Sequence, residues 1–255
     1  MSDGFPLLRI GHSPDSDDAF MFYGLASGKV VPEGIHLGHV IQDIETLNQR
    51  ATRGELEITA ISFAALPFVA DRYRVWDCGA SVGLGYGPTV VAKKELSRKE
   101  LEAGPIAIPG ERTTAALALR LWLPGVKTIV VPFQEVGKFV LDGKAVAGVI
   151  IHEGQLRYQA EGLTRIVDLG AWWMEQHDLP LPLGGNAIRR DIPEAHDRAA
   201  AAALRASVQY ALAHRKEALA HALTYARGLP TELADRFVGM YVNDFTLDLG
   251  VKGRA

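Results

Sequence analysis

The chain has 255 residues, 48% of them hydrophobic and 22% charged, with a formal net charge of −3 and a single cysteine, Cys78. That composition fits a soluble globular protein with a sizeable core. It gives no electrostatic case for nucleic acid or an anionic membrane surface, and it excludes an internal disulfide. No apolar run reaches membrane-spanning length, and the first residues lack the basic start and apolar stretch of a signal peptide, so the expected location is the cytoplasm.

In chain order, Leu7–Gly11 reads as a strand that runs into a loop rich in capping residues, 12–18, and then a helix over 19–26. Residues 34–41 alternate as a second strand, and Asp43 caps a helix through Leu47 and Asn48 that ends at Gly54. Leu56–Ile61 is a third strand, with Ser62 where a helix over Phe63–Val69 should begin. This strand–helix alternation predicts βαβ units and a parallel sheet. Arg74–Ser81 and Gly87–Lys93 follow as strands, joined by a glycine-rich crossing over 82–87 that is not a dinucleotide loop.

A second series then starts afresh. Strands are expected at 105–108, 127–131, 145–151 and 163–169, with helices opening at Glu111–Thr114 and running over 134–141. The proline- and glycine-rich stretch 179–186 reads as a second crossing, with Ala187–Arg190 re-entering the first sheet. Pro193–Arg227 is alanine-rich and helical, and Thr231–Val242 forms a further helix. The expected architecture is α/β, with lobe 1 made of residues 1–90 and 185–255 and lobe 2 of residues 91–184. Two crossover segments and a central cleft would make a clamshell.

The stretch 145–153 carries the sharpest signal. An apolar, mostly β-branched run stops abruptly at His152 and Glu153. Ligands of open α/β sheets bind at the carboxyl ends of strands, and histidine is the side chain best matched to proton transfer near neutral pH. A strand-end histidine satisfied by a nearby carbonyl is the plain alternative. Hydroxyl residues also follow strands directly at Ser13 and Ser16, at Ser62, and at Thr113 and Thr114. Each could be a simple cap, and together they favour a small anionic ligand at helix N-termini. No metal site is expected, since the position four residues after His152 is Leu156 and the one cysteine cannot build a zinc centre. Trp172 and Trp173 fit either an aromatic wall or the core.

Several runs match a family. Ser13-Pro-x-x-x-Asp-x-Phe-x-Phe-Tyr23, Asp43-Ile-Glu-Thr-Leu-Asn48, Pro109-Gly-x-x-Thr-Thr114, Gly148-Val-Ile-Ile-His-Glu153, Val167-Asp-Leu-Gly-Ala-Trp-Trp173 and Leu179-Pro-Leu-Pro-Leu-Gly184 are collinear over nearly the whole chain. So is Tyr241-Val-Asn-x-Phe-x-Leu-Asp248. Together they resemble 1,4-dihydroxy-6-naphthoate synthase, an enzyme of the futalosine route to menaquinone.

The resemblance implies a type II periplasmic-binding-protein-like fold. It also implies opening of cyclic dehypoxanthine futalosine to the dihydroxynaphthoate, with release of the sugar-derived fragment and no cofactor. By position His152 matches the catalytic base. Ala60, Ile61 and Ser62, Thr113 and Thr114, and Ser13, Asp43 and Asn48 match substrate-binding segments. The expected partner is a small-molecule carboxylate, with no nucleic acid and no membrane, in a monomer or homodimer. Chorismate dehydratase of the same pathway and a small-anion solute-binding protein are the competing readings. The Trp172-Trp173 and 148–153 stretches argue against the first, and the absence of a signal peptide against the second. Where the family often has Ser-Pro-Cys-Pro-Asn-Asp, this chain has Ser-Pro-Asp-Ser-Asp-Asp at 13–18.

Overall fold

A computed structural model describes residues 4–225 and 228–254. Residues 1–3 and 255, at the ends of the expected first lobe, and 226–227, at the end of the expected helical stretch, lie outside the described residues. The chain divides into two compact units, Met1–Val82 with Gly184–Ala255, and Gly83–Leu183. The unit boundaries thus fall at 82/83 and 183/184 rather than at 90/91 and 184/185.

The strands are Leu7–His12 (β1), His36–Ile41 (β2), Ile58–Ser62 (β3), Tyr73–Val75 (β4), Ser81–Gly83 (β5), Thr89–Ala92 (β6), Ile106–Ile108 (β7), Thr128–Val130 (β8), Ala147–Ile150 (β9), Thr164–Asp168 (β10) and Leu181–Arg189 (β11). In unit 1 the sheet order is β2-β1-β3-β11-β4, with β5 pairing β11 off this path. β1 lies parallel to β2 and β3, whereas β11 runs antiparallel to both β3 and β4. All five residues of β3 are buried, as expected of a central strand. Ile10, Phe20, Met21, Phe22 and Ile58 form the core with Leu204 and Val208, contributed by the helix Glu194–Ala213.

Unit 2 has the order β10-β6-β9-β7-β8. Its inner strands β6, β9 and β7 are buried on both faces, and adjacent residues of β6 show why: Val90 packs with Ile106, Leu119 and Val149, while Val91 packs with Val136, Val140 and Ile150. The helix Val136–Leu141 sits flush on β9 because position 148 is glycine. A Cβ there would lie 2.6 Å from Val136 Cγ1 and 2.9 Å from Val140 Cγ2.

Several expectations are corrected. β9 is parallel to β7 but antiparallel to β6, so the strand before His152 belongs to a mixed sheet. The expected crossing over 179–186 is strand from Leu181 onward, because its glycines pair across β3, Gly184 with Ser62 and Gly185 with Ile61. Pro182 precedes the residues of β11 that pair with β3. Phe63–Phe68 is a 3₁₀ helix with Pro67 inside it rather than an α-helix. The strand expected over 74–81 survives only as β4 and the start of β5. The long helix beyond Pro193 breaks at His214, whose φ of −117° and ψ of 42° interrupt the ladder before Arg215–Leu223 begins. A short helix, Arg98–Glu102, was not expected, although the capping box of Ser97 and Glu100 marks its start.

Candidate functional site

In unit 1 the polar residues gather where β1 and β3 end. Asn48, on the helix Ile44–Thr52, is fully buried, and its amide grips Ser62 twice. Its Nδ2 donates to the Ser62 hydroxyl at 3.0 Å, and its Oδ1 accepts the Ser62 backbone N–H at 2.8 Å. Because the hydroxyl accepts from Asn48, it keeps its own hydrogen to donate elsewhere. Ala60 and Ile61 precede Ser62 on β3, but their side chains are core: Ala60 packs with Leu47 and Leu56, Ile61 with Val69 and Tyr73. Asp43 caps the helix 44–52, its Oδ1 accepting the Thr46 N–H at 2.9 Å and its Oδ2 the Thr46 hydroxyl at 2.5 Å.

The loop after β1 is tied internally. The Ser13 N–H donates to Asp18 Oδ2 at 2.7 Å, the Asp15 N–H donates to Ser13 Oγ at 3.1 Å, and the Ser81 hydroxyl donates to Asp17 Oδ2 at 3.2 Å. Burial pushes the Asp18 carboxyl up to about 6, against the lowering effect of its bonds to Ser13. His12, the last residue of β1, has both ring nitrogens engaged. Nδ1 lies 3.1 Å from the Ser13 carbonyl and must donate to it, so Nε2, 3.0 Å from His39 Nδ1, accepts. The ring stacks on Phe22 at a centroid distance of 4.3 Å. Burial, then the neighbouring His39, push it down to about 4.

In unit 2, Thr113 and Thr114 open the nine-residue helix Thr114–Trp122 directly after β7 and its turn. Thr113 is its cap: Oγ1 accepts the Ala116 N–H at 3.2 Å and donates to the Gly110 carbonyl at 2.9 Å. The Thr114 hydroxyl donates to the Leu183 carbonyl at 2.7 Å. Both hydroxyl hydrogens are therefore spent on carbonyls, and the attraction this helix start holds for an anion comes from its backbone amides.

His152 lies two residues beyond β9, at the N-cap of the 3₁₀ helix Glu153–Leu156. Its Nδ1 accepts the Gly154 N–H at 3.0 Å, and the Phe133 ring meets it edge-on at 5.5 Å. The side chain is 18% exposed, whereas that of Glu153, with Oε2 at 3.8 Å from Nδ1, is 5% exposed.

Sequence reading missed several polar groups. Asp168 caps the helix Leu169–His177 through the Gly170 and Ala171 N–H groups, and burial raises its carboxyl above the ordinary range. Asn186 on β11 donates to the Gly79 carbonyl at 2.8 Å, yet its Oδ1 is buried with no hydrogen-bond partner among the described residues. Trp173 packs on the unit 2 core beside His177, at 4.1 Å between ring centroids, and its Nε1 is likewise buried without such a partner. Asp168 stands directly before a helix start and could have been found as a cap. Nothing local marks Asn186, whose burial depends on β11 pairing with strands far away in the chain. Among the described residues no cluster of three or more His, Cys, Asp or Glu could hold a metal ion. No helix among them is long and apolar enough to cross a membrane.

A family model described as menaquinone biosynthesis matches residues 8–255. The chain is 43% identical over 246 residues to a 1,4-dihydroxy-6-naphtoate synthase of Thermus thermophilus, covering 96% of this chain and 89% of that one. It is 37% identical to the enzyme of the same name from Streptomyces coelicolor, covering 97% and 89%. A crystal structure of a protein from Archaeoglobus fulgidus superposes with a TM-score of 0.92 at 46% identity, covering 96% of this chain and 92% of that one. The alkanesulfonate-binding protein SsuA of Xanthomonas axonopodis, solved with MOPS bound, superposes with a TM-score of 0.70 at 14% identity, covering 92% and 84%. The fold is thus that of the periplasmic binding proteins, here carried by an enzyme. The chain belongs to the menaquinone biosynthesis family.

Proposed function

We propose that this enzyme converts cyclic dehypoxanthine futalosine to 1,4-dihydroxy-6-naphthoate with release of the sugar-derived fragment, in the cytoplasm, with His152 as general base. Two relatives that it matches over 96–97% of its own length and 89% of theirs bear the name 1,4-dihydroxy-6-naphtoate synthase. The observation that carries the residue assignment is the placement of His152. It stands past the carboxyl end of β9, partly exposed, with its ring held by the Phe133 edge and the Gly154 N–H. Opening the cyclic substrate requires a proton to leave it, and a neutral imidazole is suited to take that proton near neutral pH.

Within unit 1, Ser62, whose hydroxyl keeps a hydrogen to donate, is assigned to substrate binding, and within unit 2 so is the amide-rich start of the helix Thr114–Trp122 behind Thr113. Ser13, Asp43 and Asn48 act by shaping these segments: Asn48 orients Ser62, Asp43 caps the helix that carries Asn48, and Ser13 orders the loop after β1.

The test is turnover of the cyclic futalosine by His152→Asn, read from the naphthoate chromophore, with chorismate as the control substrate. Losing a general base costs about 10²–10⁴-fold in rate, and affinity for the naphthoate should persist. Near-wild-type turnover by this variant would make the histidine structural. Turnover of chorismate instead would move the chain to the dehydratase reading.

A further inference from the structure

The environment of His152 selects one tautomer. A ring nitrogen that accepts a hydrogen bond carries no hydrogen, so while Nδ1 takes the Gly154 N–H at 3.0 Å the neutral ring holds its hydrogen on Nε2. This contact depends on the lack of a side chain at 154. A Cβ there would lie 2.7 Å from His152 Cε1, 3.1 Å from Nδ1 and 3.1 Å from Ile150 Cγ2. The Phe133 edge bears on the same ring at 5.5 Å. A carboxylate oxygen of buried Glu153 lies 3.8 Å from Nδ1. A carboxylate only accepts, so it can bond Nδ1 only when Nδ1 carries a hydrogen.

Two neighbours in sequence therefore favour opposite tautomers of one ring. The amide of Gly154 favours bare Nδ1, and the carboxylate of Glu153 favours Nδ1–H. At 3.0 Å against 3.8 Å, the amide holds the resting state.

We infer that Gly154 and Glu153 are positioning residues that set the working nitrogen of His152. Gly154 parks the ring with its hydrogen on Nε2. When the ring turns off that amide, Nε2 gives its hydrogen to water, Nδ1 takes one from water and directs it at Glu153, and bare Nε2 is exposed as the base. This rests on His152 being the base. In the working form the substrate's bond to hydrogen breaks, its electron pair stays on the substrate, and the proton adds to Nε2. The product of that step is an imidazolium whose Nδ1–H faces the Glu153 carboxylate. Removing Glu153 leaves that Nδ1–H without its charged acceptor, so the loss appears in kcat more than in KM.

The test joins a spectroscopic and a kinetic readout. In full-length protein labelled with ¹⁵N-histidine, at a pH where the ring is neutral, His152 should show bare Nδ1 and protonated Nε2. Gly154→Ala should abolish that preference, and Gly154→Ala/His152→Ala, which relieves the clash, controls for folding. Glu153→Gln should leave the resting tautomer unchanged and lower kcat by about 10-fold or more, short of the loss on removing the ring, with KM little altered. Glu153→Asp should recover part of that rate.

A resting His152 with Nδ1–H, an unchanged tautomer in Gly154→Ala, or full kcat in Glu153→Gln would each overturn the inference. Full turnover by His152→Asn would instead remove the proposed base while the tautomer measurement still scored the role of Gly154.

Discussion

The imidazole pair of unit 1, His12 buried and His39 half-buried, makes acid stability a direct probe of the fold around β1. His12 donates to the Ser13 carbonyl and accepts from His39, and it stacks on Phe22. A second proton on His12 would sit on Nε2, where it would confront His39 Nδ1–H, inside a site almost closed to water. Its value accordingly falls from 6.5 to about 4. The folded state therefore binds fewer protons than the unfolded chain between these two values. Stability from this residue is complete above about pH 6.5 and is lost as the pH falls toward the folded value. By linkage the loss between pH 7 and pH 5 is about 2 kcal/mol.

Asp18 works in the opposite direction. Its carboxyl is raised from 3.8 to about 6, so acidification through that range relieves a penalty. The wild-type slope alone therefore understates the His12 effect, and the informative quantity is a difference. Denaturant unfolding of wild type and His12→Gln should be compared from pH 7 to pH 5. The variant is expected to be less stable at pH 7, since it loses the stack on Phe22 and leaves buried polar groups imperfectly paired. The gap should close by about 2 kcal/mol at pH 5. In the wild type, the ring resonances of His12 should not titrate above pH 5. A gap that stays constant with pH, or a His12 ring titrating near 6.5, would refute the reasoning.

Truncating Asn48 to alanine removes both bonds that hold Ser62, leaving a buried N–H unpaired, and should lower stability by about 2–3 kcal/mol in thermal or denaturant unfolding. Thr113→Val loses the cap of the helix 114–122 and should cost about 1 kcal/mol, whereas Thr113→Ser should retain most of it. In the Thr113→Val/Thr114→Val pair the backbone amides of this helix start remain, so naphthoate affinity by calorimetry should change little. A fall of about 1.5–3 kcal/mol, the worth of a hydrogen bond to a charged group, would show instead that a hydroxyl binds the carboxylate.

What could be read from residues alone followed the range of the interactions involved. The strand before His152, the cap at Asp43 and the cap at Thr113 are local: a few neighbouring side chains decide them, and the structure places all three as their spacing implies. The Asn48 grip on Ser62 was not visible, because it needs a helix face and a strand end to meet. The histidine pair was hidden for a related reason, since His12 and His39 become neighbours only when β1 and β2 lie side by side. Leu181–Gly185 misled by composition. Glycine and proline weaken an isolated strand, but partners on β3 outweigh that propensity. Ala60 and Ile61, named for their segment, turn out to pack in the core. The resemblance located a stretch of chain: Ile61 faces away from Ser62, whereas Ala60 shares the face of Ser62 and packs on Leu47 and Leu56, short of the strand end where Ser62 meets Asn48.

The order of strands in unit 1 has a consequence for synthesis. β3 is made early, yet its partner β11 emerges only after all of Gly83–Leu183. Unit 2 is contiguous and can complete its sheet while the chain is still being extended, but unit 1 must wait with one side of β3 unpaired. Assembly on the ribosome should therefore run out of sequence order, with the inserted unit resistant to proteolysis before the unit that precedes it. An arrest series that releases chains ending just before and just after β11 would display that inversion. A circular permutant opened within the second unit would bring β11 out ahead of β3 and reverse the order of waiting.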